Sequence, residues 1–210
     1  MTDSRFIDTP PLAPQRGGPF VRWFARLILR LMRWRITGTL PNIPRAVLIS
    51  APHTSNQDGF LTAVSSIALG LHTYFLVKHT AFVWPLRRLL TAVGALPVDR
   101  ANSKNLVSDS AKRIRESDSM WLAIAPEGTR TATAWKTGFY WIAVQAGVPI
   151  LLIAFDYAKR ETMVLGTFEP TGDIEKDMPA LMERYRDISP RHPDRLSPAM
   201  QALRASERPQ

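Results

Sequence analysis

Two stretches of this chain are almost free of charge, and each is broken by glycine. Residues 59–77 hold no formal charge beyond the titratable His72, and residues 137–155 hold none at all. Their length approaches the roughly 20 residues of a transmembrane helix, so the breaks decide the reading. Gly70 divides the first stretch into a helix-like half at 61–69 and a strand-like half at 73–77. Gly147 and Pro149 divide the second into 135–146 and 150–155. Each half has the length of a buried helix followed by a buried strand, and a Gly-x-Pro break suits that junction. Both stretches therefore predict core α/β units, not spans.

The same alternation extends along the chain. Strands are expected near 45–50, 73–77, 95–98, 120–125, 150–155 and 162–168. Helices are expected near 58–69, 84–93, 103–117, 135–146 and 174–186. In the last of these Ile174, Met178, Leu181, Met182 and Tyr185 keep helical spacing despite Pro179. This order predicts an α/β fold, a mixed and partly parallel sheet flanked by helices. With 210 residues the chain suits one main domain, expected over 37–188. Residues 1–18, with Pro10, Pro11, Pro14 and the Gly17–Gly18 pair, read as a flexible arm. Residues 189–210 are polar and Pro-containing and read as a loose tail.

Residues 19–36 read as an amphipathic N-terminal helix. Arg22, Arg26, Arg30 and Arg33 form one helical stripe; Phe20, Phe24, Leu27, Ile28 and Leu31 form the facing one, with Trp23 and Trp34 at its borders. Arg35 falls on the apolar side, which places the helix end close to it. No acid occurs between Asp8 and Asp58, and the whole chain carries a net charge of +9. The pattern predicts a helix lying in the interface of an anionic membrane; the alternative is a packing helix with a solvated basic face. Charges interrupt the apolar residues and no A-x-A site follows, so a signal peptide is not indicated. The expected location is the cytoplasmic face of a membrane, peripheral or monotopic. Nucleic-acid binding is not expected: the tryptophans lie mostly in apolar helical runs, not interleaved with Lys and Arg.

The chemistry concentrates after the first strand, in Ala51-Pro52-His53-Thr54-Ser55-Asn56-Gln57-Asp58-Gly59. A histidine moves protons near neutral pH, and a carboxylate at its far nitrogen fixes the tautomer and makes it a better base. On one continuous helix, i and i+5 splay by roughly 140°. His53 and Asp58 meet only if the first lies on a loop and the second on the first turn of the next helix. Pro52, Asn56 and the capping candidates Thr54 and Ser55 suit such a junction. They equally suit a capped turn with an incidental histidine.

Several other chemistries lack support. There is no G-x-S-x-G elbow, no G-x-G-x-x-G opening a helix and no G-K-[ST] loop. His53, His72, His79 and His192 lack zinc-ligand spacing, and no metal or resident cofactor is expected. The chain has no cysteine, which removes both a disulfide framework and a cysteinyl acyl-enzyme.

Three further blocks accompany the H-x4-D motif in order. They are Gly94-Ala-Leu-Pro-Val-Asp-Arg100, the strand-to-turn block Met120-Trp-Leu-Ala-Ile-Ala-Pro-Glu-Gly-Thr-Arg130, and Gly147-Val-Pro-Ile150. With these four blocks the chain resembles the glycerolipid acyltransferase family, which includes 1-acyl-glycerol-3-phosphate acyltransferases. The resemblance covers residues 45–155 and makes 37–188 the acyltransferase domain. It implies transfer of a fatty acyl group from acyl-CoA or acyl-carrier protein to a lysophospholipid hydroxyl, most simply that of lysophosphatidate. His53 would be the general base and Asp58 its partner. Lys78, Arg100, Glu127, Gly128, Thr129 and Arg130 would form the acceptor's phosphate pocket. A carboxylate beside a phosphate is repulsive, so Glu127 is expected to pair with an arginine or the acceptor hydroxyl. Other acceptors, such as a lyso-ornithine lipid or a pigment-like aryl hydroxyl, and a non-catalytic basic adaptor remain alternatives.

Overall fold

The computed structural model describes residues 4–92, 94–98, 105–127 and 134–206. Seven strands form one sheet: β1 (Arg35–Gly38), β2 (Arg45–Ala51), β3 (Thr73–Lys78), β4 (Ala95–Val98), β5 (Met120–Ile124), β6 (Ile150–Asp156) and β7 (Glu161–Phe168). Their order is β1-β7-β6-β2-β5-β3-β4. From β6 to β4 every neighbouring pair is parallel, whereas β7 returns antiparallel to β6 and carries β1 parallel to itself. The mixed, partly parallel sheet expected from the sequence is thus present, with most of its pairs parallel. Helices α1 (Pro19–Leu31), α2 (Asn56–Leu69), α3 (Leu86–Ala92), α4 (Leu106–Glu116), α5 (Gly138–Ala146), α6 (Ile174–Glu183) and α7 (Pro198–Ala205) complete the fold.

Both sheet faces are covered, which is why the central strands read as continuous apolar runs. Along β2, Val47, Ile49 and Ala51 join a core with Phe139, Tyr140 and Ile142 of α5. The alternate residues Ala46 and Leu48 join a second core with Leu61 and Val64 of α2 and Ala25 and Leu29 of α1. Gly70 and Gly147 end α2 and α5 in the left-handed region, at φ 71° and 65°. A glycine lacks the Cβ that makes this conformation costly, so the two breaks in the uncharged stretches are helix stops.

The structure corrects three boundaries. Helix α1 ends at Leu31, not near residue 36, because Arg33 adopts φ 54° and the N–H of Trp34 reaches the carbonyl of Leu29 at 2.8 Å. This 6→1 bond is a Schellman stop; Trp34 buries against Leu29, and β1, which helical spacing concealed, begins one residue later. The segment before α1, expected to be a flexible arm, lies along the body. Its Arg16 N–H bonds the carbonyl of Gly70, its Pro14 carbonyl accepts from His72 N–H, and its Thr9 hydroxyl bonds the carbonyl of Leu69. A turn closed by Ala13 N–H on the Pro10 carbonyl redirects this segment, whose backbone then pairs with the α2–β3 turn. The segment after 189, expected to be a loose tail, forms α7 and buries Leu196 and Met200 beside Ile188. Apolar residues spaced too sparsely to show periodicity supply that packing.

Helix α1 also turns the other way from a helix with a solvated basic face. Arg22 packs on Gly70, Arg26 donates to the carbonyl of Ala68 at 2.9 Å, and Arg26 and Arg30 lie over the ring of Phe6. The cause is α2, whose last turn holds no basic residue. Its Ala68 carbonyl is met by Arg26, and its dipole by the basic stripe of the neighbouring helix. Phe20, Trp23, Phe24 and Leu31 consequently face outward.

Candidate active site

The carboxyl edge of the parallel strands collects the motif residues, as parallel α/β sheets commonly arrange their sites. β5, β2 and β6 are consecutive in the sheet. Glu127 follows the end of β5, His53 follows β2, and Asp58 stands in the first turn of α2. The loop-then-helix geometry that the H-x4-D spacing requires is therefore formed.

Asp58 is fully buried and sits three residues beyond the N-cap Ser55, in a capping box. Its Oδ2 accepts the N–H groups of Thr54 and Ser55, both at 2.8 Å. Its Oδ1 accepts the Ser55 hydroxyl at 3.0 Å and the Tyr157 hydroxyl at 2.5 Å. Four donors, two on each oxygen, thus hold the carboxylate in place. His53 Nδ1 lies 3.6 Å from Oδ2, with the imidazole about one-fifth exposed. That separation is longer than a hydrogen bond, as is common for catalytic pairs before substrate tightens them. The capped turn and the His/Asp pair are thus one structure.

Glu127 is buried, and its Oε1 accepts the backbone N–H of His53 at 3.1 Å. Burial raises its carboxyl from an ordinary 4.5 to about 7; the Asp58 charge adds to the rise, and N–H groups of its own backbone, His53 and the Trp135 indole oppose it. Glu127 Oε2, Trp135 Nε1 and Tyr185 Oη are buried without a hydrogen bond of normal geometry. Among the described residues no arginine pairs with Glu127, and the candidate partners Arg100 and Arg130 lie outside them; Oε1 braces the backbone beneath His53. Lys78 ends β3 at the same edge, but its side chain is outside the described set, and Arg100, Gly128, Thr129 and Arg130 lie outside the described residues.

Sequence reasoning missed Tyr157. It is the first residue after β6, the strand beside β2, so strand adjacency at the carboxyl edge was the available signal. Its ring stands edge-on to Trp34 at 5.3 Å.

A doubly covered, mostly parallel sheet with a His/Asp pair at its carboxyl edge defines an α/β enzyme fold with a candidate proton-transfer site. The sequence model described as Acyltransferase matches residues 33–156, and the chain belongs to that family. A curated relative, the 1-acyl-sn-glycerol-3-phosphate acyltransferase of Haemophilus influenzae, is 28% identical over 152 residues, covering 66% of this chain. The chain spans about 60% of that relative's length. The crystal structure of the 1-acyl-sn-glycerophosphate (LPA) acyltransferase PlsC from Thermotoga maritima superimposes with a TM-score of 0.57. That match covers 90% of this chain and 80% of the other at 15% identity, a likeness of fold.

Proposed function

We propose that the protein transfers a fatty acyl group from acyl-CoA or acyl-carrier protein to the hydroxyl of a lysophospholipid, lysophosphatidate being the first candidate. The observation that carries this reading is the position of His53 Nδ1 against the anchored Asp58 carboxylate. The acceptor would then meet the other ring nitrogen, Nε2. As the acceptor oxygen attacks the thioester carbonyl, Nε2 takes its proton, the new C–O bond forms and the C–S bond breaks. The imidazolium returns the proton to the departing thiolate, and Asp58 offsets its charge meanwhile. With no cysteine in the chain, direct attack in a complex of both substrates is the simplest route.

The Haemophilus influenzae and Thermotoga maritima relatives act on phosphate-bearing acceptors by name, which favours such an acceptor here, and by family resemblance Arg100 and Arg130 hold that phosphate. A guanidinium–phosphate fork makes strong charge-assisted hydrogen bonds. Arg100→Ala and Arg130→Ala are expected to raise KM for lysophosphatidate about tenfold or more and that for the thioester far less. A neutral monoacylglycerol should show no such dependence. Steady-state kinetics with both acceptors checks this, and equal sensitivity would assign the arginines a structural role and favour a different hydroxyl acceptor.

The outward face of α1 supports docking to a membrane surface. Phe20 and Leu31 are 74% and 77% exposed, with Trp23 and Phe24 beside them. Val83, Trp84 and Leu86 form another exposed apolar group after β3. No helix among the described residues is long and apolar enough to cross a membrane. Because Arg22, Arg26 and Arg30 are engaged with the body, apolar insertion should dominate over charge. Phe20→Ser, Trp23→Ser and Phe24→Ser combined should weaken partition to anionic vesicles by at least about tenfold, since each buried side chain contributes roughly 1.5–3 kcal/mol. High salt should remove little. Co-sedimentation equal to wild type would dismiss α1 as the docking element.

A further inference from the structure

Of the four donors that hold Asp58, three come from residues 54 and 55 of its own loop; the fourth, the Tyr157 hydroxyl, comes from 99 residues along the chain. Tyr157 lies one residue beyond the stretch matched by the family. A segment still further on holds it. Tyr157 N–H donates to the Ser189 carbonyl at 2.8 Å, and the Arg191 guanidinium lies 5.8 Å above the tyrosine ring. Arg191 also bonds the Gln57 side chain, His192 N–H reaches the Thr54 hydroxyl at 3.3 Å, and Arg195 reaches the Thr54 carbonyl at 3.3 Å. Residues 189–195 therefore strap the His53–Asp58 loop from outside, touching it through Thr54, Gln57 and Tyr157.

We propose that Tyr157 is a positioning residue for the His53/Asp58 pair and that the strap at 189–195, chiefly through Arg191, sets its position. The inference rests on the His53 general-base reading above. The phenol fixes Oδ1, which fixes the plane of the carboxylate and hence where Oδ2 stands relative to His53 Nδ1. It also draws off part of the carboxylate charge. Burial and the bond to Asp58 hold the Tyr157 hydroxyl well above its ordinary range, so it remains a donor across any working pH. The other charged and titratable groups around the pair, among the described residues, are Glu127 from the end of β5 and Arg191, His192 and Arg195 from the strap. Tyr157→Phe leaves Glu127 and its contact to His53 in place and keeps the aromatic packing on Trp34.

With oleoyl-CoA and 1-oleoyl-lysophosphatidate, Tyr157→Phe is expected to lower kcat about tenfold, the scale of a hydrogen bond to a charged group, with both KM values within about twofold. The less neutralised carboxylate holds the His53 proton more firmly, so the acid limb of the pH–rate profile and the imidazole titration seen by NMR both move to higher pH. Arg191→Ala should give a smaller version of both changes, Arg191→Lys should partly restore them, and the double variant should be no worse than Tyr157→Phe alone. Wild-type kcat and profile in Tyr157→Phe would overturn the proposal. So would a fall in kcat that accompanies a lower Tm with the imidazole titration unmoved, since that describes packing. His53→Ala in the same assay separates the two readings. Retained turnover there removes the general base and Tyr157's role with it; lost turnover beside an unaffected Tyr157→Phe removes only the latter.

Discussion

A His53→Ala protein is expected to lose acyl transfer by about 10²–10⁴-fold, the contribution of a positioned general base, with its fold intact. The imidazole is partly exposed, and Glu127 binds this residue through its backbone N–H, which alanine keeps. Asp58→Asn should lose much of the same factor, and the double variant should be far from additive because the two act as one unit. Their stabilities should differ. Asp58 accepts four hydrogen bonds within a buried helix start, and an amide in its place presents N–H groups to some of those donors. The Asp58→Asn substitution is therefore not a neutral probe of catalysis: about 1–3 kcal/mol of stability should go with it, whereas His53→Ala should unfold at nearly the wild-type temperature. Turnover of purified variants together with thermal melts checks both statements. Near-normal turnover in His53→Ala would defeat the catalytic assignment.

The second large effect concerns Glu127 and pH. Its carboxyl is raised from 4.5 to about 7 in the folded protein, chiefly by burial. Below pH 4.5 both folded and unfolded chains hold this proton. Between 4.5 and 7 the unfolded chain releases it while the folded chain keeps it, so stability falls as pH rises through that window and levels off above it. The gap corresponds to about 3 kcal/mol. Glu127→Gln keeps an acceptor for the His53 N–H and removes the titration. Denaturant unfolding at about pH 4 and pH 8 should therefore show the variant gaining on the wild type by about that amount. Parallel pH dependence of the two proteins would show that Glu127 ionises freely in the fold.

Six of the seven strands, all but β1, were readable in the sequence because a sheet covered on both faces needs runs of apolar residues, and glycine at positive φ marks where helices stop. The H-x4-D geometry was readable because only one arrangement lets residues five apart meet across a loop and a helix start. Other features depend on partners distant in the chain. The pattern of α1 separates a basic stripe from an apolar one but carries no information about which stripe faces the body; that depends on the last turn of α2, whose Ala68 carbonyl takes Arg26. Arg33 in the left-handed region is a local choice that glycine would have signalled and arginine does not. The contact of Glu127 Oε1 with the His53 backbone N–H arises because strand adjacency brings the side chain under His53. Tyr157 and the strap fall outside any motif, and their roles appear only once β6 lies beside β2.

The arginines of α1 descend along α2 as they advance: Arg22 lies on Gly70, and Arg26, one turn further, reaches back to Ala68. The two helices thus run antiparallel, joined at the end of α2 remote from Asp58. One of the pair shows the outside its aromatic face; the other begins with the carboxylate that faces His53. The outward face and the buried carboxylate therefore belong to one packed pair of helices. If α1 rests in a lipid surface, the helix pair sets the height of His53 above that surface. Acceptors would then be sorted by how far their hydroxyl stands from the acyl chains that anchor them, a geometric criterion separate from the charge of the headgroup.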